Sequence, residues 1–206
     1  MAQGLFITLE GGEGAGKSTA ARGLAEALRA EGHEVVLTRE PGGTKGAEAI
    51  RALLLDQDLP LDALAQTMLH FAARADHVAG LIRPALARGA IVICDRFYDS
   101  TMAYQAYGQN VPIAQVRALI ELVGLQPDIT FLLALPEAQA QARLAQRAAA
   151  TDRYEQMNRD FFARVQAGFA EIAAAAPERV VTIDASPAPE AVVATMRAAL
   201  RARTGR

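Results

Sequence analysis

Apolar residues fall along the chain in two alternating textures. Short runs of strand length, Leu5 to Leu9, Glu34 to Thr38, Ala90 to Cys94, Asp128 to Leu135 and Val180 to Asp184, are separated by longer stretches with apolar residues at helical period. That alternation predicts a five-stranded, mostly parallel sheet with helices on both faces, a three-layer α/β fold. The first helix is expected from Lys17 to about Ala30, ending at Gly32. From Asp62 to Arg88 the period continues as one long helix or two. Pro84 disfavours helix at Arg83 and removes a hydrogen bond, so a kink is expected there. In such sheets ligands lie beyond the carboxyl ends of the strands, so the residues after the first three strands are the ones to read for chemistry.

After the first strand comes Gly11-Gly12-Glu13-Gly14-Ala15-Gly16-Lys17-Ser18-Thr19, which satisfies the phosphate-loop spacing. Its backbone N–H groups are expected to curl around phosphate oxygens, with the N-terminus of the following helix aimed at the same anion. Lys17 would reach the outer phosphates and Ser18 would ligate magnesium, which makes the loop a nucleoside triphosphate site. A guanine-reading Asn-Lys-x-Asp segment is absent, because Asn110 and Asn158 are followed by valine and arginine. Glu13 is the odd residue. Ionised at neutral pH, it would repel a triphosphate unless it faces a second ligand on the other side of the loop.

Further polar clusters follow the next two strands. Arg39-Glu40-Pro41-Gly42-Gly43-Thr44 contains a tight turn, and Asp95-Arg96 closes the third strand. Asp95 stands where a second acidic group helps hold magnesium, and an arginine buried at such an edge calls for an anionic partner such as phosphate. Arg51, one turn or more into the next helix, reads either as a further cation at this edge or as part of a solvated face. On the long helix His70, Arg74 and His77 have the i, i+4, i+7 spacing of one face, and Phe71 adjoins them. An aromatic there is either core or a platform for a planar base, with Arg74 as its hydrogen-bonding partner. The cationic stretch bearing Arg143, Arg147 and Arg153 reads as an exposed helix or as a lid that brings arginine over phosphates.

Composition narrows the classes. The chain has 206 residues and a formal net charge of −2, with no polybasic run, so extended nucleic-acid binding is not expected and phosphate binding must be local. Lysine occurs only at 17 and 45, so one of the two lies in the phosphate loop. Cys94 is the single cysteine, set in an apolar run, which points to a buried structural thiol and a reducing compartment. The N-terminus reaches Glu10 after a short apolar stretch and reads as a first strand, not a signal peptide. No apolar run approaches the roughly 20 residues that cross a bilayer. A cytoplasmic protein without a membrane partner is expected.

Several segments occur in one order: Glu10-Gly-Gly-Glu-Gly-Ala-Gly-Lys-Ser18, Thr38-Arg-Glu-Pro-Gly-Gly-Thr44, Phe71-Ala-Ala-Arg74, Asp95-Arg96, Ser100-Thr-Met-Ala-Tyr-Gln105 and Asp152-Arg-Tyr-Glu-Gln156. Together, from about residue 4 to 200, the chain closely resembles the bacterial thymidylate kinase family. The resemblance implies a phosphate-loop NTPase fold, a single domain over 1–206 with a short helical lid at about 143–156, and a homodimer packed through long helices such as Asp62 to Arg88. It implies transfer of the γ-phosphoryl of ATP to dTMP, giving dTDP and ADP, with magnesium held by Ser18, Asp95 and Glu10. Glu13 would lie near the 3′-hydroxyl of the acceptor sugar. Arg74 and Ser100 would meet the base, Tyr104 and Gln105 the sugar, and Arg39 and Arg96 the acceptor phosphate, with Pro41 and Arg51 beside them. Because Gly14 follows Glu13, the catalytic cation is expected from the lid, Arg153 first and then Arg147 or Arg143. The position four before Arg74, usually phenylalanine in the family, is His70 here, so either His70 stacks on the base or the helix presents Phe71.

Two other readings compete. A kinase acting on another monophosphate or on a deoxynucleoside would share this fold, and for a nucleoside acceptor Glu40 or Asp95 would serve as base. An ATP-driven switch or DNA-associated ATPase would need no acceptor nucleotide, and the crowd of arginines at one edge speaks against it.

Overall fold

The computed structural model describes residues 4–145 and 158–205. Five parallel strands, β1 (Leu5–Glu10), β2 (Val35–Arg39), β3 (Ile91–Asp95), β4 (Ile129–Ala134) and β5 (Val180–Asp184), form one sheet in the order β2-β3-β1-β4-β5. The central strand β1 is buried along its whole length. Its alternate residues part to opposite layers, as the pleat requires. Leu5, Ile7 and Leu9 join Leu24 and Leu28 of α1 (Lys17–Ala30) and Val192, Met196 and Leu200 of α9 (Pro189–Thr204). Phe6 faces the other way, among Phe71, Ile82, Phe97 and Val116.

That second layer holds α3 (Ala63–His77), α4 (Arg83–Ala87) and α6 (Ile113–Val123), with α2 (Lys45–Leu55) packed on α3. The irregularity expected at Pro84 begins one turn earlier. A π-helical turn, Val78–Ile82, separates α3 from α4, and Pro84 occupies the first turn of α4, where its missing N–H costs little. After β3 the chain enters the short helix α5 (Tyr98–Thr101) and a second π-helical run, Met102–Gly108. Helix α8 (Arg159–Ala175) covers this run through Phe161, Val165 and Phe169. Helix α7 (Glu137–Ala145) follows β4 and contains the first residues of the expected lid, whose remainder, with Arg147 and Arg153, lies outside the described residues. Among the described residues no helix is long and apolar enough to cross a membrane.

One buried ion pair ties the segment after β3 to the far side of the sheet. The Arg179 guanidinium donates to both oxygens of Asp99, at 2.6 and 3.0 Å, and to Thr130 Oγ1 at 2.5 Å. Thr130 in turn shares a hydrogen bond with Thr8 of β1 at 2.7 Å. Removing one partner of such a pair leaves a charge in the interior, so Arg179→Met is expected to cost about 3–5 kcal/mol, whereas Asp99→Leu/Arg179→Met recovers most of that loss. Chemical denaturation of both variants checks this.

Candidate active site

A cavity of about 440 Å³ opens at the carboxyl edge of the sheet. On one side it is lined by Glu13, Gly14, Gly16, Lys17, Ser18 and Thr19, and on the other by Arg39, Pro41, Arg51, His70, Arg74, Ser100, Tyr104 and Gln105, with Asp95, Arg96 and Arg143 also on its wall. Helix α1 starts in the loop, capped by Gly16 in the left-handed conformation at φ 86°. A glycine cap brings no side-chain acceptor, so the first N–H groups of α1 are directed at the cavity, an arrangement suited to phosphate. Gly11, Gly12 and Ala15 stand behind this wall. The carbonyls of Gly11 and Gly12 accept from Lys17 Nζ at 3.1 and 2.7 Å.

Glu13 turns away from that nest. Its carboxylate pairs with Arg96 Nη2 and accepts from the Tyr104 hydroxyl at 3.0 Å. Arg96 also donates to the Gly11 carbonyl at 3.1 Å and to Ser100 Oγ at 3.0 Å. Its backbone has φ 69°, a conformation that a bulky side chain adopts only where its surroundings enforce it. Here the N–H bonds the Leu9 carbonyl at 2.9 Å, and the guanidinium reaches back to the loop.

At the wall opposite the loop, Arg39 and Arg51 both donate to the Pro41 carbonyl, at 3.0 and 2.9 Å, and Arg39 is further paired with Glu48. His70 borders the cavity, whereas Phe71 is buried beneath Arg74, its ring centroid 4.6 Å from the guanidinium carbon. Of the two aromatic candidates the helix therefore presents His70. The expectation for Phe71 is corrected to a core residue supporting Arg74.

Residues 9–196 match the family model described as thymidylate kinase. The chain is 57% identical over 198 residues to thymidylate kinase of Gluconobacter oxydans (strain 621H), covering 94% of this chain and 92% of that one. With thymidylate kinase of Caulobacter vibrioides it shares 47% over 208 residues and the full length of both. The crystal structure of thymidylate kinase from Ehrlichia chaffeensis matches with a TM-score of 0.81 at 35% identity, over 96% of this chain and 99% of that one. The chain belongs to the thymidylate kinase family. Members of that family use ATP to phosphorylate dTMP, and membership makes this chain an ATP-dependent nucleoside monophosphate kinase.

Two of the candidate carboxylates, Glu10 and Glu40, are buried. Glu10, a candidate magnesium ligand, accepts from the Phe97 N–H at 2.7 Å and from Ser100 Oγ at 2.5 Å, and is only 1% exposed. Burial, reinforced by the charge of Asp99, raises its pKa to about 8, and in this structure it holds Ser100. Glu40, named above with Asp95 as a possible base for a nucleoside acceptor, contributes to the cavity lining but is buried, its two oxygens taken by Arg74 and His77. Ser18 and Asp95 remain beside each other at the cavity wall, hydrogen bonded at 2.5 Å. Cys94 is buried, its thiol against the Arg96 carbonyl, and burial raises its pKa well above the ordinary value.

The electrostatics follow from desolvation. Burial and the nearby Arg96 charge depress Lys17 to about 8. For His70, burial together with Arg74, Arg96 and Arg51 lowers the pKa to about 3, so its ring is neutral around pH 7. Arg96 loses hydration, but the anions around it, Glu13 first, more than compensate and raise its pKa. Because Lys17 sheds its proton above pH 8 in the free enzyme, kcat/KM for ATP is expected to fall with rising pH from about 8, while kcat/KM for the acceptor at saturating ATP lacks that break. Steady-state pH profiles for the two substrates check this.

Proposed function

We propose that this chain transfers the γ-phosphoryl group of ATP to dTMP, giving dTDP and ADP. The observation that carries the reading is the orientation of Glu13, whose carboxylate leaves the phosphate-binding face of its own loop and joins Arg96 and Tyr104 on the acceptor side. One loop thus serves both substrates: backbone N–H groups for the donor phosphates, and a carboxylate that accepts a hydrogen bond from the acceptor 3′-hydroxyl. Arg96, with Arg39 and Arg51 across the cavity, neutralises the acceptor phosphate. His70 lies against the base, Arg74 and Ser100 hydrogen bond it, and Tyr104 and Gln105 pack beside the sugar.

The acceptor phosphate has a second pKa of about 6 and is largely dianionic at neutral pH, so no strong general base is needed. Its oxygen attacks the γ-phosphorus in line, a new P–O bond forms, and ADP departs with the electron pair of the bond that breaks. What the protein supplies is alignment of two polyanions and positive charge where they meet, from Lys17 and Arg96. Arg143 is the lid arginine within reach of the cavity among the described residues, and the reading keeps Arg153 and Arg147 as further donors of positive charge. The hard oxygen ligands of Ser18 and Asp95 suit magnesium. When bound, that ion would neutralise phosphate charge on the donor.

The proposal extends to one domain over residues 1–206 with its lid at about 143–156, acting in the cytoplasm as a homodimer. Support for the dimer comes from exposed apolar residues on three helices packed side by side: Leu53 of α2, Leu64 and Met68 of α3, and Leu122 of α6, the last 82% exposed. Sedimentation is expected to give a dimer for the wild type and a monomer for Met68→Glu/Leu122→Glu.

The test of the reaction is ADP release from Mg-ATP with dTMP, dUMP, dCMP, dGMP, ribosyl-TMP or thymidine. Strong preference for dTMP is expected, and Glu13→Ala should lower kcat/KM for dTMP by roughly 10- to 100-fold, the loss of a charge-assisted hydrogen bond. Preference for thymidine, or equal ADP release without acceptor, overturns the reading.

A further inference from the structure

Arg74 is held more completely than contact with a ligand alone would require. Its Nε donates to Glu40 Oε2 at 2.7 Å and its Nη2 to Thr101 Oγ1 at 3.1 Å. The faces of the guanidinium are covered by the rings of Phe71 and Phe97, with centroids 4.6 and 5.2 Å from its carbon. Nη1 is buried and has no hydrogen-bond partner among the described residues, although Arg74 borders the cavity. A buried cation with an unmatched NH2 group is costly, and a ligand acceptor lying against Nη1 would relieve that cost.

The other oxygen of Glu40 leads away from the cavity. Oε1 meets His77 Nδ1 at 2.9 Å, and His77 Nε2 meets Thr38 Oγ1 at 2.8 Å. A carboxylate only accepts, so His77 Nδ1 carries a proton and donates to Glu40, while Nε2 and the Thr38 hydroxyl share the second bond. The chain Thr38, His77, Glu40, Arg74 therefore runs with every intermediate atom paired. The Pro41-Gly42-Gly43 turn presses on it. Gly43 has φ 92°, and a Cβ there would stand 2.7 Å from Thr38 Oγ1 and closer still to the His77 ring. Glycine lets the backbone lie close against this chain of bonds.

We propose that Thr38, His77 and Glu40 are positioning residues that fix the plane of Arg74, so that the N–H groups of its unmatched Nη1 select an acceptor base carrying a carbonyl rather than an amino group at that edge. The inference rests on the acceptor reading above. It assigns Glu40 a role in base selection and none in proton transfer.

The test compares dTMP with 5-methyl-dCMP, which differs in the pyrimidine ring by an amino group in place of the 4-carbonyl. Wild type, Glu40→Gln, Thr38→Val and Thr38→Ser are assayed with both acceptors, with folding checked by circular dichroism. In Glu40→Gln the buried Arg74 loses its counter-charge, and KM for dTMP is expected to rise roughly tenfold, with a similar loss of discrimination. The kcat at saturating dTMP and the KM for ATP stay within about twofold. Thr38→Val moves the same quantities less, and Thr38→Ser restores them. If Glu40→Gln does not fold, the Thr38 pair carries the test. Unchanged discrimination in folded Glu40→Gln or Thr38→Val, or a parallel decline of kcat and both KM values, overturns the relay while leaving the dTMP reading standing. A wild type that uses both acceptors equally overturns the acceptor reading itself, and this inference with it.

Discussion

The guanidinium of Arg96 is withdrawn from bulk water at the mouth of the sheet, and a cation in that position persists only when anions and carbonyls surround it. Much of the site's geometry answers that requirement. Glu13 turns across from the phosphate loop, the Gly11 carbonyl faces inward, and Ser100 is held between Arg96 and Glu10. The left-handed backbone at Arg96 aims the side chain back over the loop instead of along the strand. The phosphate loop and the arginine at the mouth of the sheet are thus parts of one hydrogen-bonded unit.

Much of the framework was legible because buried parallel strands and amphipathic helices differ in period. The expected β5 and α1 coincide with the observed Val180–Asp184 and Lys17–Ala30. The expected ends of β1, β2 and β3 fall one residue short of Glu10, Arg39 and Asp95. Those residues are polar, and a hydropathy pattern stops at them. Backbone pairing does not: Leu9 and Arg39 both stand in register with Asp95 across β3. The polar residues at the carboxyl edge of the sheet are therefore the ones where side-chain pattern and ladder part company.

The site was legible as a set of residues and less so as a set of orientations. His70 and Phe71 are neighbours about 100° apart on a helix, and only the packing of α3 on the sheet decides which meets the cavity. Glu10, Glu40 and Asp95 all end or follow strands at the same edge, yet the first two are satisfied by interior donors and the third adjoins Ser18. The pairing of Asp99 with Arg179 bridges 80 residues of sequence and leaves no local signal. A strand-ending carboxylate is a ligand candidate until its donors have been counted.

The strand order has a consequence for how such a protein can change. β1 lies in the middle of the sheet and gives rise to the phosphate loop, with β3 and β2 on one flank and β4 and β5 on the other. Arg39, Pro41 and Arg96 belong to the first flank. Arg143 belongs to the second, where it donates to the Ala185 carbonyl at 3.0 Å just after β5. Apart from the Asp99–Arg179 pair and the packing of α8 on Met102–Gly108, which join the two flanks, a substitution on the outer wall of one flank meets neighbours of that flank, so the pocket there can drift in its chemistry while the phosphate loop between them keeps its shape. Evolutionary latitude is in this sense written into the topology, with the central strand as the seam.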